Sequence, residues 1–372
     1  MNNKKKKILV AMSGGVDSSV VAALLLKRGY DVAGMFAVNY NNEDNTNGSC
    51  WVSDYRDAVC VAAKLGISLL RWDFTKEYKK FVLDYMYKEY SAGRTPNPDV
   101  LCNKFVKFGV WLERAKKEGF EKLATGHYAG IKTLKHKNIK TLSLLCAKDE
   151  NKDQTYFLHQ LDQKQLQHVL FPLGDYTKPE VRKLAKKFEL PTAGKEESMG
   201  ICFIGEVPMK EFLQTRIKQK KGKITLSDGK VVGEHDGLAF YTIGQRHLGK
   251  LQDTSYKIQN SKPLFVVDKD IKHNTLIVGY ENDVLLYKKK ISIDKIHWIS
   301  GQSPEFPLKC EVRLRHRQPL QKSKVIKSLS RRQAGIKSKV MIEFDKPQRA
   351  PTPGQFAVLY KNGECLGGGV VR

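Results

Sequence analysis

Apolar residues come in short, dense runs through the first third of the chain. ILVAM at 8–12, DVAGMFAV at 31–38 and ISLLRWDF at 67–74 are too evenly apolar for one-sided strands, so they read as strands covered on both faces. Between and after them, SSVVAALLLKRG, SDYRDAVCVAAKLG and TKEYKKFVLDYMYKEY repeat their apolar positions at the helical period. Beyond NPDVLCN at 97–103, NKFVKFGVWLERAKKEG reads as another helix and EKLATGHYA as a strand ending in a loop. This alternation predicts a parallel sheet with helices on both faces, extending to about residue 130.

The pattern then loosens. IKTLKHKNIKTLSLLCA at 131–147 reads as a hairpin and KPEVRKLAKKFEL as a helix. Near 207 the texture changes to a basic helix, MKEFLQTRIKQKK, followed by short segments broken at SDGK, EHDG and HLGK. From about 282, alternating runs such as KCEVRLRH, SKVMIEFD and QFAVLYKNGECLGGGVV predict an antiparallel barrel. The expected organisation is a doubly wound α/β domain over 1–207, a small central module over 208–281 and a C-terminal antiparallel β-barrel over 282–372.

Composition adds a partner class. Lys and Arg outnumber Asp and Glu by 65 to 39 in 372 residues, a formal net charge of +26, which suits a polyanion. MNNKKKK is basic like a signal peptide, but ILVAM is shorter than the ~7–15 residues of a signal core, and no run approaches ~18 apolar residues. A cytoplasmic location without membrane contact is the expectation. Seven cysteines without CxxC pairs argue against a disulfide scaffold or a zinc ribbon.

AMSGGVDSS sits between a buried strand and a helix, where α/β proteins bind phosphates. Gly14 and Gly15 can adopt positive φ and let backbone N–H groups close on an anion, and Ser13, Ser18 and Ser19 add hydroxyls at the positive end of the helix. Asp17 could hold a magnesium ion. The competing reading is an ordinary tight turn with a helix cap. No GxxxxGK[ST] occurs, which argues against Walker-type γ-phosphate chemistry.

Two cysteines stand apart. Cys102 lies in a loop of Pro, Asn and Asp residues just before a helix, where the helix N-terminus and Lys104 would favour thiolate. Cys202, in SMGICFIGE, is flanked by glycines that permit close backbone approach. The others read as inert: Cys60 on an apolar helix face, Cys146 and Cys310 in strand-like runs and Cys365 near the C-terminus, with Cys50 undetermined.

SGGVDS resembles the pyrophosphate (PP) loop of the ATP pyrophosphatases, which adenylate an oxygen and cleave ATP between its α and β phosphates. That likeness makes the first domain a PP-loop ATPase domain and implies nucleotide contacts from Ala11, Met12, Ser13, Gly14, Gly15, Val16, Asp17 and Ser18, with Met35 at adenine and Gly126 lining the pocket. With NPDVLCNKFVKFG, ATGHYA, NKDQTYFL, SMGICFIGE, YTIGQRHLG and TPGQFAVLY in order, nearly the whole chain resembles the tRNA-specific 2-thiouridylases. The resemblance implies that O2 of the wobble uridine is adenylated and that a persulfide on Cys202 attacks C2. Cys102 then attacks the persulfide or adds reductively, AMP leaves, and a Cys102–Cys202 disulfide remains. Asp99 is the implied general acid or base. Implied target-base and tRNA contacts are Asn97, Pro98, Asp99, His127, Lys152, Asp153, Gln154, Arg315, His316 and Gln355. For His127 a satisfied buried histidine, and for Arg315 and His316 a solvated strand face, are equal rivals.

The implied partners are ATP with Mg2+, tRNA of the Lys, Glu and Gln types, and a cysteine desulfurase or sulfur-relay protein; no flavin or nicotinamide is implied. Three rival readings remain: another PP-loop ligase with no use for the two cysteines, a thiolase in which Cys102, Cys202 and a third ligand hold an iron–sulfur cluster, and a tRNA-binding protein with a vestigial nucleotide fold.

Overall fold

Strands Lys7–Ala11 (β1), Asp31–Val38 (β2), Leu69–Asp73 (β3), Lys122–Ala124 (β4) and Val169–Leu170 (β7) form a parallel sheet in the order β3-β2-β1-β4-β7. This is a computed structural model, and it describes residues 6–41, 51–136, 139–196, 202, 204, 207–246, 248, 262–294, 296–327 and 340–372. Strand alternation divides the core of this domain. Ile8 and Val10 join a cluster with helices Val16–Lys27 (α1) and Trp51–Leu65 (α2), while Leu9 joins one built on helices over 75–91 and 98–117. The sheet is therefore covered on both faces, as its continuous apolar runs require.

α1 follows β1 directly and is apolar nearly all round; every residue from Val16 to Leu25 except Asp17 is buried. A capping box of Thr177 and Glu180 starts the helix Lys178–Lys187, which packs on α1. The crossover from β1 runs to one side and that from β3 to the other, leaving a crevice at the carboxyl ends of β1 and β4, where doubly wound sheets bind ligands.

The hairpin Gly130–His136 (β5) and Ile139–Leu145 (β6) leaves this domain and pairs through β6 with Glu364–Val370 (β18). It thereby extends the C-terminal antiparallel sheet, whose order is β12-β16-β15-β14-β17-β18-β6-β5. Its other members are Tyr287–Ile293 (β12), Leu308–Arg313 (β14), Gln321–Lys327 (β15), Val340–Arg349 (β16) and Phe356–Lys361 (β17), with His297–Trp298 (β13) beside β18. The central module is a four-stranded sheet of Gly222–Leu226 (β8), Val231–His235 (β9), Phe265–Asp270 (β10) and Thr275–Gly279 (β11) around its own apolar cluster. The basic helix expected over 209–221 is shorter, ending at Gln214, although Ile217 beyond it still packs into the core.

Buried polar contacts weld the hairpin's follow-on segment to the C-terminal sheet. Asp153, 2% exposed, pairs with Arg313 at 2.9 Å and accepts from Thr155, while Tyr156 donates to the carbonyls of Leu314 and Phe356.

Candidate active site

The nucleotide loop is shaped by close packing and short-range bonds. Gly14 has φ +72°, and a Cβ there would sit 2.2 Å from the Asp54 carbonyl of α2, so only glycine fits. Ser18 and Ser19 are buried and donate to the Gly15 carbonyl at 3.1 and 2.8 Å, so their hydroxyls help to hold the loop. Ser13 is exposed at the mouth. A Cβ on Gly126 would meet Asp17 Cβ at 3.0 Å and Ser18 N at 3.2 Å, so the loop after β4 closes onto the start of α1. Met35 is 1% exposed and its thioether lies in the core; only its backbone, which accepts from Met12 N at 2.7 Å, borders the loop.

Asp17 is engaged. It receives Lys178 Nζ at 2.7 Å and the Tyr128 hydroxyl at 3.0 Å, neither of which the motif reveals. A crevice of about 300 Å³ opens here, lined by Ser13, Gly15, Val16 and Asp17, by Lys152 and Gln154, and by His316 and Arg317 from the turn between β14 and β15. Lys152, Gln154 and His316, expected at tRNA, thus face the nucleotide loop. Burial chiefly pushes the imidazole of His316 down to about 4, aided by Arg317 and Arg313, so it is neutral at pH 7. Among the described residues no group of three His, Cys, Asp or Glu side chains could hold a metal, so the Mg2+ contact expected of Asp17 has no preformed protein cage.

The second site joins distant segments. Cys202 donates its backbone N–H to Asp99 Oδ1 at 3.2 Å, and its carbonyl accepts from the Tyr78 hydroxyl at 2.7 Å. Its thiol lies close enough to the thiol of Cys102 and the ammonium of Lys107 for each to act on its ionisation. The neighbours at 197–201, 203 and 205–206 lie outside the described residues, as does Cys50.

Cys102 is not in a loop. Asn97 caps the helix Pro98–Leu101 by accepting from Val100 N, and Cys102 opens the π-helical segment Cys102–Trp111 that continues it. Burial pushes its thiol well up, against the thiolate expected there. Lys104, the expected activator, is turned to Gln160 at 3.1 Å. The thiol of Cys202 is instead held below its usual range, first by the hydrogen bond from Cys102 and then by Lys107, against the opposing effect of burial. Burial raises the carboxyl of Asp99 above the usual carboxylate range, with Lys107 and the Cys202 N–H opposing. For Lys107 burial disfavours the charge, but Cys202, Cys102 and Asp99 outweigh it and raise its pKa.

Some expected contacts are interior. His127 is buried, bonded to the Thr125 hydroxyl at 2.7 Å and packed on Phe108 and Phe171, and burial drives it well below the imidazole range. Asp153 serves its buried pair with Arg313. The Gln355 amide donates to the carbonyls of Thr95 and Pro96 at 3.0 Å, so it braces the approach to Asn97 and Pro98. Arg315, half-buried, donates to the Ala350 carbonyl at 2.8 Å. Cys310 and Cys365 are buried, as expected of inert thiols, but Cys60 lies on the exposed side of α2.

Comparison with known proteins shows the family. A family model described as the tRNA methyl transferase HUP domain matches residues 6–206, and two others, a PRC-barrel domain and an aminomethyltransferase β-barrel domain, match 210–280 and 288–371. A curated protein of Streptococcus mutans, tRNA-specific 2-thiouridylase MnmA, is 45% identical over 372 residues, covering 100% of this chain and 96% of its own. The chain belongs to the tRNA-specific 2-thiouridylase family. A Geobacillus thermodenitrificans member is 44% identical over 98% of this chain and 94% of its own. Among solved structures, a 4-thiouridine synthetase–RNA complex with bound ATP aligns at a TM-score of 0.33 and 18% identity, covering 56% of this chain and 50% of its own. Tyr78, Lys107, Tyr128, Lys178 and Arg317 are the site residues that motif reading missed; Lys178 alone left a local signal, the TKPE capping box.

Proposed function

We propose that the chain is an ATP-dependent tRNA uridine 2-sulfurtransferase that converts the wobble uridine of tRNA into 2-thiouridine, with AMP and pyrophosphate as co-products. The observation that carries the reading is the contact of Cys102 and Cys202, 100 positions apart in sequence, across Asp99 and Lys107. A ligase of the same superfamily has no use for such a pair. The iron–sulfur alternative needs a third ligand, and among the described residues none completes a group with the two thiols.

In this reading the N–H groups around Gly14 and Gly15, at the N-terminus of α1, hold the phosphates of ATP, and Lys178 and Lys152 balance their charge. Mg2+, if carried, enters with the nucleotide. Uracil C2 is a poor electrophile until O2 becomes a leaving group, and adenylation makes it one. Cys202, charged as a persulfide by a desulfurase or relay protein, attacks C2 with its terminal sulfur, and the C2–O bond breaks as AMP leaves. Cys102 then attacks Sγ of Cys202, the S–S bond to the transferred sulfur breaks, and 2-thiouridine leaves. The electrons for this cleavage come from the two thiols, which finish as a disulfide that an external thiol must reduce before the next turnover. Asp99, with its raised pKa, takes up the proton of Cys102, which burial otherwise holds on sulfur.

The net charge of +26 suits tRNA phosphates, and the tRNAs for Lys, Glu and Gln are the proposed substrates. Among the described residues no helix is long and apolar enough to cross a membrane, and the proposed location is the cytoplasm. The test is incubation with ATP, a persulfide source and unmodified tRNA, followed by nucleoside mass spectrometry. Formation of 2-thiouridine supports the reading; ATP turnover without it, or full thiolation by Cys202→Ser, rejects it.

A further inference from the structure

Lys107 is a charged group at the thiol pair to which the steps above assign no task. It stands five residues after Cys102 within the π-helical segment Cys102–Trp111. In a regular α-helix, at 3.6 residues per turn, a side chain five positions on points about 140° away from the first. The wider i→i+5 turn swings it back toward the same face, and π-helical turns of this kind gather at functional sites. The consequence is proximity: the ammonium lies close enough to Cys202, Cys102 and Asp99 for each of them to act on its charge.

We propose that Lys107 is a further catalytic residue, whose ammonium holds the reacting sulfur of Cys202 as an anion and directs it, and that the π-helical turn serves to place it there. The proposal rests on reading Cys202 as the sulfur carrier. A lysine suits the task because a compact ammonium on a flexible stem can follow the sulfur as the group lengthens from thiolate to persulfide. Among the described residues, the other groups facing Cys202 are Asp99 and Cys102 on the same helix and the hydroxyl of Tyr78, with Tyr40 beyond Tyr78. His127, across the helix, is neutral and adds no charge. Among the described residues Lys107 is thus the cation acting on Cys202, while Asp99 opposes it.

The test needs neither tRNA nor ATP. Alkylation of Cys202 by iodoacetamide is followed by peptide mass spectrometry across pH in the full chain, in Lys107→Met and in Lys107→Arg. The wild-type midpoint should fall below the value of about 8.5 of a free cysteine, and Lys107→Met should raise it by roughly one unit, slowing alkylation about tenfold at neutral pH. Lys107→Arg should keep most of the wild-type profile. An unmoved midpoint in Lys107→Met overturns the proposal. If that variant shows no cooperative thermal unfolding, an ordinary wild-type midpoint, or a Lys107→Arg profile shifted fully to it, overturns the proposal in its place. Pyrophosphate release from ATP and tRNA should persist in folded Lys107→Met while 2-thiouridine formation falls at least about tenfold; loss of both overturns the assignment to sulfur transfer. Should the wild type form no 2-thiouridine, the proposed function fails, and the alkylation profile still judges Lys107 by itself.

Discussion

One stretch, 12–18, makes the nucleotide loop, whereas the thiol pocket draws Tyr78, Asp99, Cys102, Lys107 and Cys202 from three separate parts of the chain. The loop's constraints are local: a positive φ at Gly14, serine hydroxyls bonded to the Gly15 carbonyl, and a helix that begins at Val16. The pocket's constraints are long-range, since Cys202 is held by a hydroxyl and a carboxylate from elements more than 100 positions away. A local device advertises itself as a motif because adjacent residues must all serve one turn. An assembled pocket shows only scattered residue types, and its electrostatics arise when the segments meet.

Breaking the two regions separately should separate the two half-reactions. The largest effect is expected from Cys202→Ser: 2-thiouridine falls below detection, while tRNA-dependent pyrophosphate release stays within about twofold of wild type. Gly14→Ala should strike the first half-reaction, and thiolation with it, because its Cβ would lie 2.2 Å from the Asp54 carbonyl at φ +72°. Pyrophosphate release should drop about 100-fold with a raised KM for ATP, the strain of a few kcal/mol being relieved only by moving the loop. Gly15→Ala is the control, since a Cβ there meets only the Ser13 hydroxyl at 3.4 Å; a loss as large as that of Gly14→Ala would contradict the packing argument.

Asp99→Asn sharpens the pocket side. Its carboxyl is raised by burial, so activity that depends on the ionised form should climb as pH rises through a value above the ordinary carboxylate range. In the variant that acidic limb should vanish and thiolation should slow about tenfold or more, as read from a pH–rate profile. The smallest effect belongs to Tyr78→Phe. It removes one hydrogen bond to the Cys202 carbonyl, worth about 1 kcal/mol, and should slow thiolation roughly fivefold without affecting pyrophosphate release.

Much of the architecture was legible because burial writes itself into periodicity. The runs ILVAM and DVAGMFAV read as two-sided strands, and they are β1 and β2 of the parallel sheet. The hairpin at 131–147 was legible as a hairpin, but not as part of the C-terminal sheet, because the partner of β6 lies more than 200 positions on. Reading Cys102 as a loop thiol erred for a related reason: Asn97 and Pro98 are turn residues, yet here they cap a helix, and the fold then buries the thiol. His127 and Asp153 carry polar side chains that suit RNA, and only packing reveals that Thr125 and Arg313 already satisfy them.

By itself the sequence determined the sheet-and-helix alternation, the SGGVDS loop and the presence of two unusual cysteines, because each depends on residues that are neighbours along the chain. Tertiary structure alone decided how deeply Cys102 is buried, which lysine lies beside the thiols and which polar residues are spent on the core. Those outcomes depend on burial and on charges a few ångströms apart that lie far apart in sequence, and a thiol's acidity is set by that surrounding field.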